Sequence, residues 1–239
     1  MKRILSLFIF TIVLTSCSEE IKPATFKTIS VEESFDANIT ATYSMAEGKD
    51  QLSKTINSNI ENAIVETLST TEKHSDLKTL LKDFNKEFLD FNKNFDEASE
   101  PVWELDIETE LVYQSENVLT IVVSTYEFKG GAHGNDQIKF LNLDAKTGNV
   151  LKLDDFIENK DDFKTLAQTH FKKASELKEA SLKMEDFFFG KPFQLPENIG
   201  YSDDGLVLLY NPYEVVSYDQ GYFEFVIPFD AVEPYLEMK

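Results

Sequence analysis

The run YEFKGGAHGNDQIKFLNLDAKTGNVLKLDDF, residues 126–156, constrains the fold more than any other part of the chain. Tyr126 and Phe128 close an apolar stretch, and Gly130, Gly131, Gly134 and Asn135 then allow backbone angles that other side chains resist. Residues 138–143 resume a strand pattern, Lys146-Thr147-Gly148-Asn149 turns the chain again, and residues 150–153 return as a third strand. Strand, turn, strand, turn, strand is an antiparallel meander, and the rest of the chain is placed around it.

Before the meander the period changes twice. Residues 26–31 and then Ile39, Ala41 and Tyr43 alternate as half-buried strands, and Glu47-Gly48-Lys49 ends the pattern. Leu52, Ile56, Ile60, Ala63, Ile64 and Leu68 recur at three and four residues, along one helical face. A second helix carries Leu77, Leu80, Leu81, Phe84, Phe88, Phe91 and Phe95, with Ser75 placed to cap it. Pro101 ends the helical part. Trp103, Leu105, Ile107, Leu111 and Tyr113 then alternate with acids, and residues 118–128, apolar at both parities, read as a central strand.

After the meander, Asp154 is placed to cap a helix bearing Phe163, Leu166, Ala167, Phe171, Ala174 and Leu177. Residues 206–210, 213–218 and 222–229 read as short strands, and residues 231–236 as a closing helical turn. The class is α+β: an antiparallel β-sheet with helices packed on one face, in two closely joined subdomains. No linker rich in Pro, Gly or Ser separates them, so a single continuous sheet is expected to run through both. The boundaries are a signal peptide at 1–16, an acidic tether at 17–25, and subdomains at 26–153 and 154–239.

The amino terminus is a targeting segment. Lys2 and Arg3 precede an apolar run over residues 4–14, shorter than the ~20 residues a spanning helix needs. The end of that run, Leu14-Thr15-Ser16-Cys17, resembles the lipobox of bacterial lipoproteins, which implies lipidation of Cys17 and attachment to the membrane through that anchor. Ser18-Glu19-Glu20 resembles the acidic export signal of surface lipoproteins and implies an outer-membrane lipoprotein, surface-exposed or periplasmic. Cys17 is the sole cysteine, so no internal disulfide can form; the alternative reading is a free thiol.

Charge bears on partners. Lys and Arg number 23 against 43 Asp and Glu, a net charge of −20. Nucleic acid and anionic lipid are thereby disfavoured and a cationic partner is favoured, with solubility as the simpler account of the same charge.

Tyr126-x-Phe128-x-Gly130-Gly131-Ala132-His133-Gly134, followed by Leu143-Asp144-x-x-Thr147-Gly148 and Leu153-Asp154-Asp155-Phe156, resembles a pair of domains of unknown function. The pair occurs in the extracytoplasmic part of lysozyme-sensing (RsiV-like) anti-sigma factors and beside the catalytic domain of PdaC-like peptidoglycan deacetylases. Gly205-Leu206, Tyr210-Asn211-Pro212-Tyr213-Glu214-Val215, Gly221 and Val226-Ile227-Pro228 extend the resemblance through the second domain. It implies a cell-envelope scaffold whose ligand is a cationic, lysozyme-like protein or a cell-wall glycan.

No catalytic constellation is recognisable. His74, His133 and His170 form no metal-ligand spacing, so neither metal nor cofactor is expected. Asp203-Asp204-Gly205 resembles the aspartate pair of polysaccharide deacetylases, but the histidine pair of that chemistry is missing and the segment reads better as a hairpin turn. Nucleophile elbows and phosphate loops lack their central residues. The expected function is non-catalytic binding, and the alternative is an envelope glycan or peptidoglycan hydrolase, or a deacetylase-related enzyme, with unidentified carboxylates. Candidate ligand-binding residues are Tyr126, Gly130, Gly131, His133, Gly134, Asn135 and Tyr213. His133 has two readings: a ring that meets the ligand, or one that packs on Tyr126 or bonds the loop.

Overall fold

The computed structural model describes residues 23–68, 76–93, 101–178, 187–215 and 221–238. The signal peptide, Cys17, His74, Ser75 and Phe95 lie outside the described residues.

The chain runs β1 (Phe26–Ser30), β2 (Asn38–Ala46), α1 (Gln51–Thr67), α2 (Leu77–Asn92), β3 (Glu104–Gln114), β4 (Val118–Phe128) and β5 (Asn135–Asp144). These five strands form one sheet in sequence order. Every pairing is antiparallel except β2 with β3, which is parallel because α1 and α2 return the chain to the starting end of the sheet. Asp50 caps α1 through the Ser53 amide at 2.8 Å, and Asp76, not Ser75, caps α2 by accepting from Thr79 N at 2.9 Å. Ile56, Ile60 and Ile64 on α1 and Leu80, Leu81 and Phe84 on α2 bury against Leu105, Ile107, Ile121 and Val123.

The carboxy-terminal part comprises α3 (Leu153–Phe156), α4 (Lys160–Lys178), β6 (Asn198–Ser202), β7 (Gly205–Tyr210), β8 (Phe223–Pro228) and α5 (Phe229–Val232). β6, β7 and β8 form a separate antiparallel sheet. Its core is aromatic: the Phe171 ring lies 4.7–5.9 Å from the rings of Phe187, Phe188, Phe193, Tyr210, Phe223 and Phe225.

Several expectations need correction. The single continuous sheet is two sheets. The third strand of the meander reduces to one bridge, Leu143 with Val150, before α3 begins. Asp154 sits inside α3, whereas Asn159, accepting from Asp162 N at 3.3 Å, stands at the start of α4. Residues 212–214 form a turn and not a strand. The strand that sequence missed is β6, whose Asn198 and Gly200 serve the joint between the sheets. As expected, Asp203-Asp204 turn the hairpin between β6 and β7.

Side chains make that joint where backbone pairing would otherwise run. Asn142 accepts from the Thr120 hydroxyl at 2.8 Å and donates to Ile199 O at 2.7 Å, while Tyr201 N donates to the Thr120 hydroxyl at 3.2 Å. Phe140 N donates to Asn198 at 3.3 Å. A Cβ on Gly200 would stand 2.7 Å from the Phe140 ring, so glycine permits this close approach. The joint explains why β4 is apolar at both parities: Leu119, Ile121 and Val123 enter the first core, and Val118 enters the second.

Candidate functional site

Beside the joint lies a cleft of about 530 Å³, within the size range of small-ligand sites. One wall is the outer edge of β5, with Gln137, Ile138, Lys139 and Phe140, and the end of α1 contributes Glu66 and Thr67. Phe188, Gln194, Leu195, Glu197, Asn198, Tyr210, Asn211, Pro212 and Glu214 from the carboxy-terminal part complete the lining.

Asn211 organises the cleft. Its side chain accepts from Ile138 N and donates to Ile138 O, both at 2.9 Å, as a neighbouring strand would. Glu214 accepts from Asn211 N at 2.9 Å and so closes the Asn211-Pro212-Tyr213 turn. Burial pushes the Glu214 carboxyl above its ordinary range; the hydrogen bonds from Asn211 oppose that shift and the Glu197 charge reinforces it. The Tyr210 hydroxyl donates to Gln194 O at 2.6 Å, and burial raises its pKa so that it stays protonated. Lys139 is bonded to Glu66.

Among the described residues, three other than glycine hold a left-handed backbone: Phe188 at φ 56°, Phe189 at φ 52° and Tyr213 at φ 71°. Such angles cost roughly 1–3 kcal/mol each and persist where surrounding structure imposes them. Phe188 N donates to Val215 O at 3.0 Å, which ties the two loops together. Phe188 points into the aromatic core, and Phe189, 63 % exposed, points out. Tyr213 is 57 % exposed. Each exposed ring is therefore the chain neighbour of a residue that lines the cleft.

The sequence candidates divide between this cleft and the glycine-rich turn. Asn135 accepts from Gln137 of the cleft at 3.4 Å, and Tyr213 adjoins it. Tyr126, Gly130, Gly131, His133 and Gly134 do not line it. Gly130 and Gly131 have φ of 88° and 105° in open space, but Gly134 has a different role: a Cβ there would lie 2.3 Å from the Tyr126 ring. The exposed His133 ring places Nδ1 2.8 Å from Gly134 O, within bonding distance of the loop's own backbone. Lys129 anchors the turn, bonded to Glu87 at 3.0 Å and Glu127 at 3.2 Å and lying 5.3 Å over the Phe84 ring and 5.5 Å over Trp103. The second glycine turn is architectural too: Asp144 accepts from Lys146 N and Thr147 N, and Asn59 of α1 donates to Gly148 O at 2.7 Å.

Sequence reasoning passed over Glu197, Asn198, Asn211 and Glu214 as site residues. The available signal was Asn211-Pro212 after an apolar strand, read as a break between strands, with Tyr213 and Glu214 assigned to the strand that follows.

Residues 31–136 match the family described as deacetylase PdaC, and residues 150–230 match a family of unknown function, DUF3298. A DUF3298 family protein from Pseudomonas aeruginosa PAO1 is 18 % identical with a TM-score of 0.69, over 90 % of this chain and 95 % of that one. A DUF3298 family member from Bacteroides fragilis NCTC 9343 is 21 % identical with a TM-score of 0.65, over 89 % and 93 %. At such identities the likeness is one of fold. No curated protein matches this chain.

Proposed function

We propose that this chain, which pairs a PdaC-like domain with a DUF3298 domain, is a non-catalytic binding module of the cell envelope. In this reading it is held by a lipid on Cys17, on the outer membrane, and takes a cell-wall glycan or a cationic, lysozyme-like protein. The cleft carries the proposal: amides and carboxylates line a concave space, and the exposed rings of Phe189 and Tyr213 adjoin lining residues in the chain, a composition suited to hydroxyl-rich ligands. The net charge of −20 supports the cationic-protein form of the reading.

Glu197 and Glu214 also give the hydrolase alternative a definite pair, since a carboxyl with a raised pKa beside a second carboxylate is the arrangement of glycoside cleavage. Against it, Glu214 already accepts from the backbone of its own turn, the position of a structural brace.

The test is sedimentation of the soluble fragment beginning at Ser18 with insoluble peptidoglycan, and retention of the same fragment on immobilised lysozyme. Binding to one of them that falls at least about tenfold in Asn211→Ala is the expected result. Absence of binding to both would sink the reading, and release of reducing ends that Glu214→Gln abolishes would replace it with the hydrolase.

A further inference from the structure

We propose that the cleft selects a glycan whose amino sugars carry free ammonium groups in place of acetamides. The inference deepens the glycan form of the reading above and rests on it.

Among the described residues, four charged ones line the cleft: Glu66, Lys139, Glu197 and Glu214. Lys139 and Glu66 bond each other. Among the described residues neither Glu197 nor Glu214 is in an ion pair, so beyond the Lys139–Glu66 pair the lining carries two further carboxylates, of which Glu214 is already bonded by Asn211. The amides beside them are mostly committed: Asn198 to Phe140 N, and Asn211 to both backbone groups of Ile138.

A neutral sugar entering this space would take water from the exposed Glu197 carboxylate, and from what hydration Glu214 retains, and return no compensating charge. Desolvating an ion without a partner is the costliest event in such a site, and an ammonium at hydrogen-bond distance from the pair offsets it. An acetamide has one weak donor and a methyl group where the carboxylates require positive charge. Phe189 and Tyr213 do not line the cleft, but they are exposed and adjoin lining residues in the chain, where a ligand longer than the cleft could meet an apolar, electron-rich ring. The same features disfavour acidic sugars.

The experiment is calorimetric titration of the full chain in detergent micelles, near neutral pH and at fixed ionic strength. The probes are the glucosamine hexamer and the N-acetylglucosamine hexamer. The expected result is at least about tenfold tighter binding of the free-amine hexamer. Glu197→Gln and Glu214→Gln should each reduce that preference several-fold, and together they should abolish it. Glu197 is exposed, so Glu197→Gln carries the test should Glu214→Gln fail to fold. As a control, Glu158→Gln with Asp161→Asn removes two charges at the start of α4, outside this cleft, and should leave the preference unchanged.

Equal affinity for the two hexamers overturns the amine selection and leaves the glycan reading standing. Loss of preference in the control as large as in the cleft variants also overturns it, since the attraction would then belong to the surface charge as a whole. Failure of both hexamers to bind overturns the inference together with the glycan form of the reading.

Discussion

The two cores solve the same problem with different side chains. In the first, isoleucines and leucines from α1, α2 and the inner face of β3 and β4 repeat at regular spacing, and the rings among its buried residues form one group, Phe84 and Phe88 of α2 around Trp103, joined by the half-buried Phe91. In the second, a three-stranded sheet packs with α4 and the short α3 and α5, and beside aliphatic residues such as Leu206, Leu208 and Ile227 the interior is filled by rings gathered around Phe171. Large rings bury much surface from few positions, so loops can supply them: Phe187, Phe188 and Phe193 come from outside any strand. The candidate cleft opens on these loop-built walls, where irregular backbone presents amides and carboxylates that a regular strand would spend on its neighbours.

The largest consequence concerns concentration of packing. Phe171→Ala should cost about 3–5 kcal/mol, because six rings lose a common neighbour. Ile60→Val, equally buried in the first core, should cost about 0.5–1.5 kcal/mol. Urea denaturation measures both. Hydrogen exchange should place the Phe171→Ala loss first in α4 and β6–β8. A loss spread evenly over β1–β5 would mean that the two cores are one mechanical unit and that the contrast between them is only compositional.

A second comparison separates two glycines three residues apart. Gly134→Ala drives a methyl into the Tyr126 ring, overpacking that typically costs about 1–3 kcal/mol. Gly131→Ala meets open space and should carry only the left-handed backbone penalty, about 1 kcal/mol. Adding Tyr126→Ala should recover part of the loss in the Gly134 variant and none in the Gly131 variant. Equal recovery in both would show that the ring supports the whole turn and not one glycine.

Sequence reading served the first region well because its elements follow clean periods. Ile56, Ile60 and Ile64 recur every turn, and Leu105 and Ile107 alternate with Asp106 and Glu108. The parallel pairing of β2 with β3 was not visible, since strand direction depends on where α1 and α2 deliver the chain. In the second region the apolar residues carry little period. Phe187-Phe188-Phe189 is an unbroken aromatic run whose inward and outward members are sorted by two left-handed residues, which no periodic template contains. The site was harder still. Asn198 and Asn211 act across the chain on Phe140 and Ile138, and nothing local to either asparagine announces that partner. The glycine-rich turn drew attention because its backbone needs are local; the residues lining the cleft answer to distant ones.

The smallest expected effect compares one acid from each region. Glu61 on α1 and Glu214 beside the cleft both have raised pKa values, in each case chiefly through burial, with Asp76 adding to the first and Glu197 to the second. A carboxyl whose pKa is higher folded than unfolded binds its proton more tightly in the native state. Stability from that group therefore rises as pH falls from neutral toward the ordinary carboxylate range, and at neutral pH the buried charge is a liability. Glu214→Gln removes the charge and keeps an oxygen to accept from Asn211 N, so its Tm should slightly exceed that of the natural chain at neutral pH, with the difference closing on acidification. Comparing variant with natural chain at each pH cancels the acid loss from carboxylates such as Asp50 and Asp90, whose pKa values are lowered. Glu61→Gln should behave alike if burial alone matters. Should Glu214→Gln instead lower Tm at every pH while Glu61→Gln raises it at neutral pH, the Glu214 charge would be a brace for the Asn211-Pro212-Tyr213 turn. The acid beside the cleft would then stabilise the fold, and ligand selection would fall to Glu197.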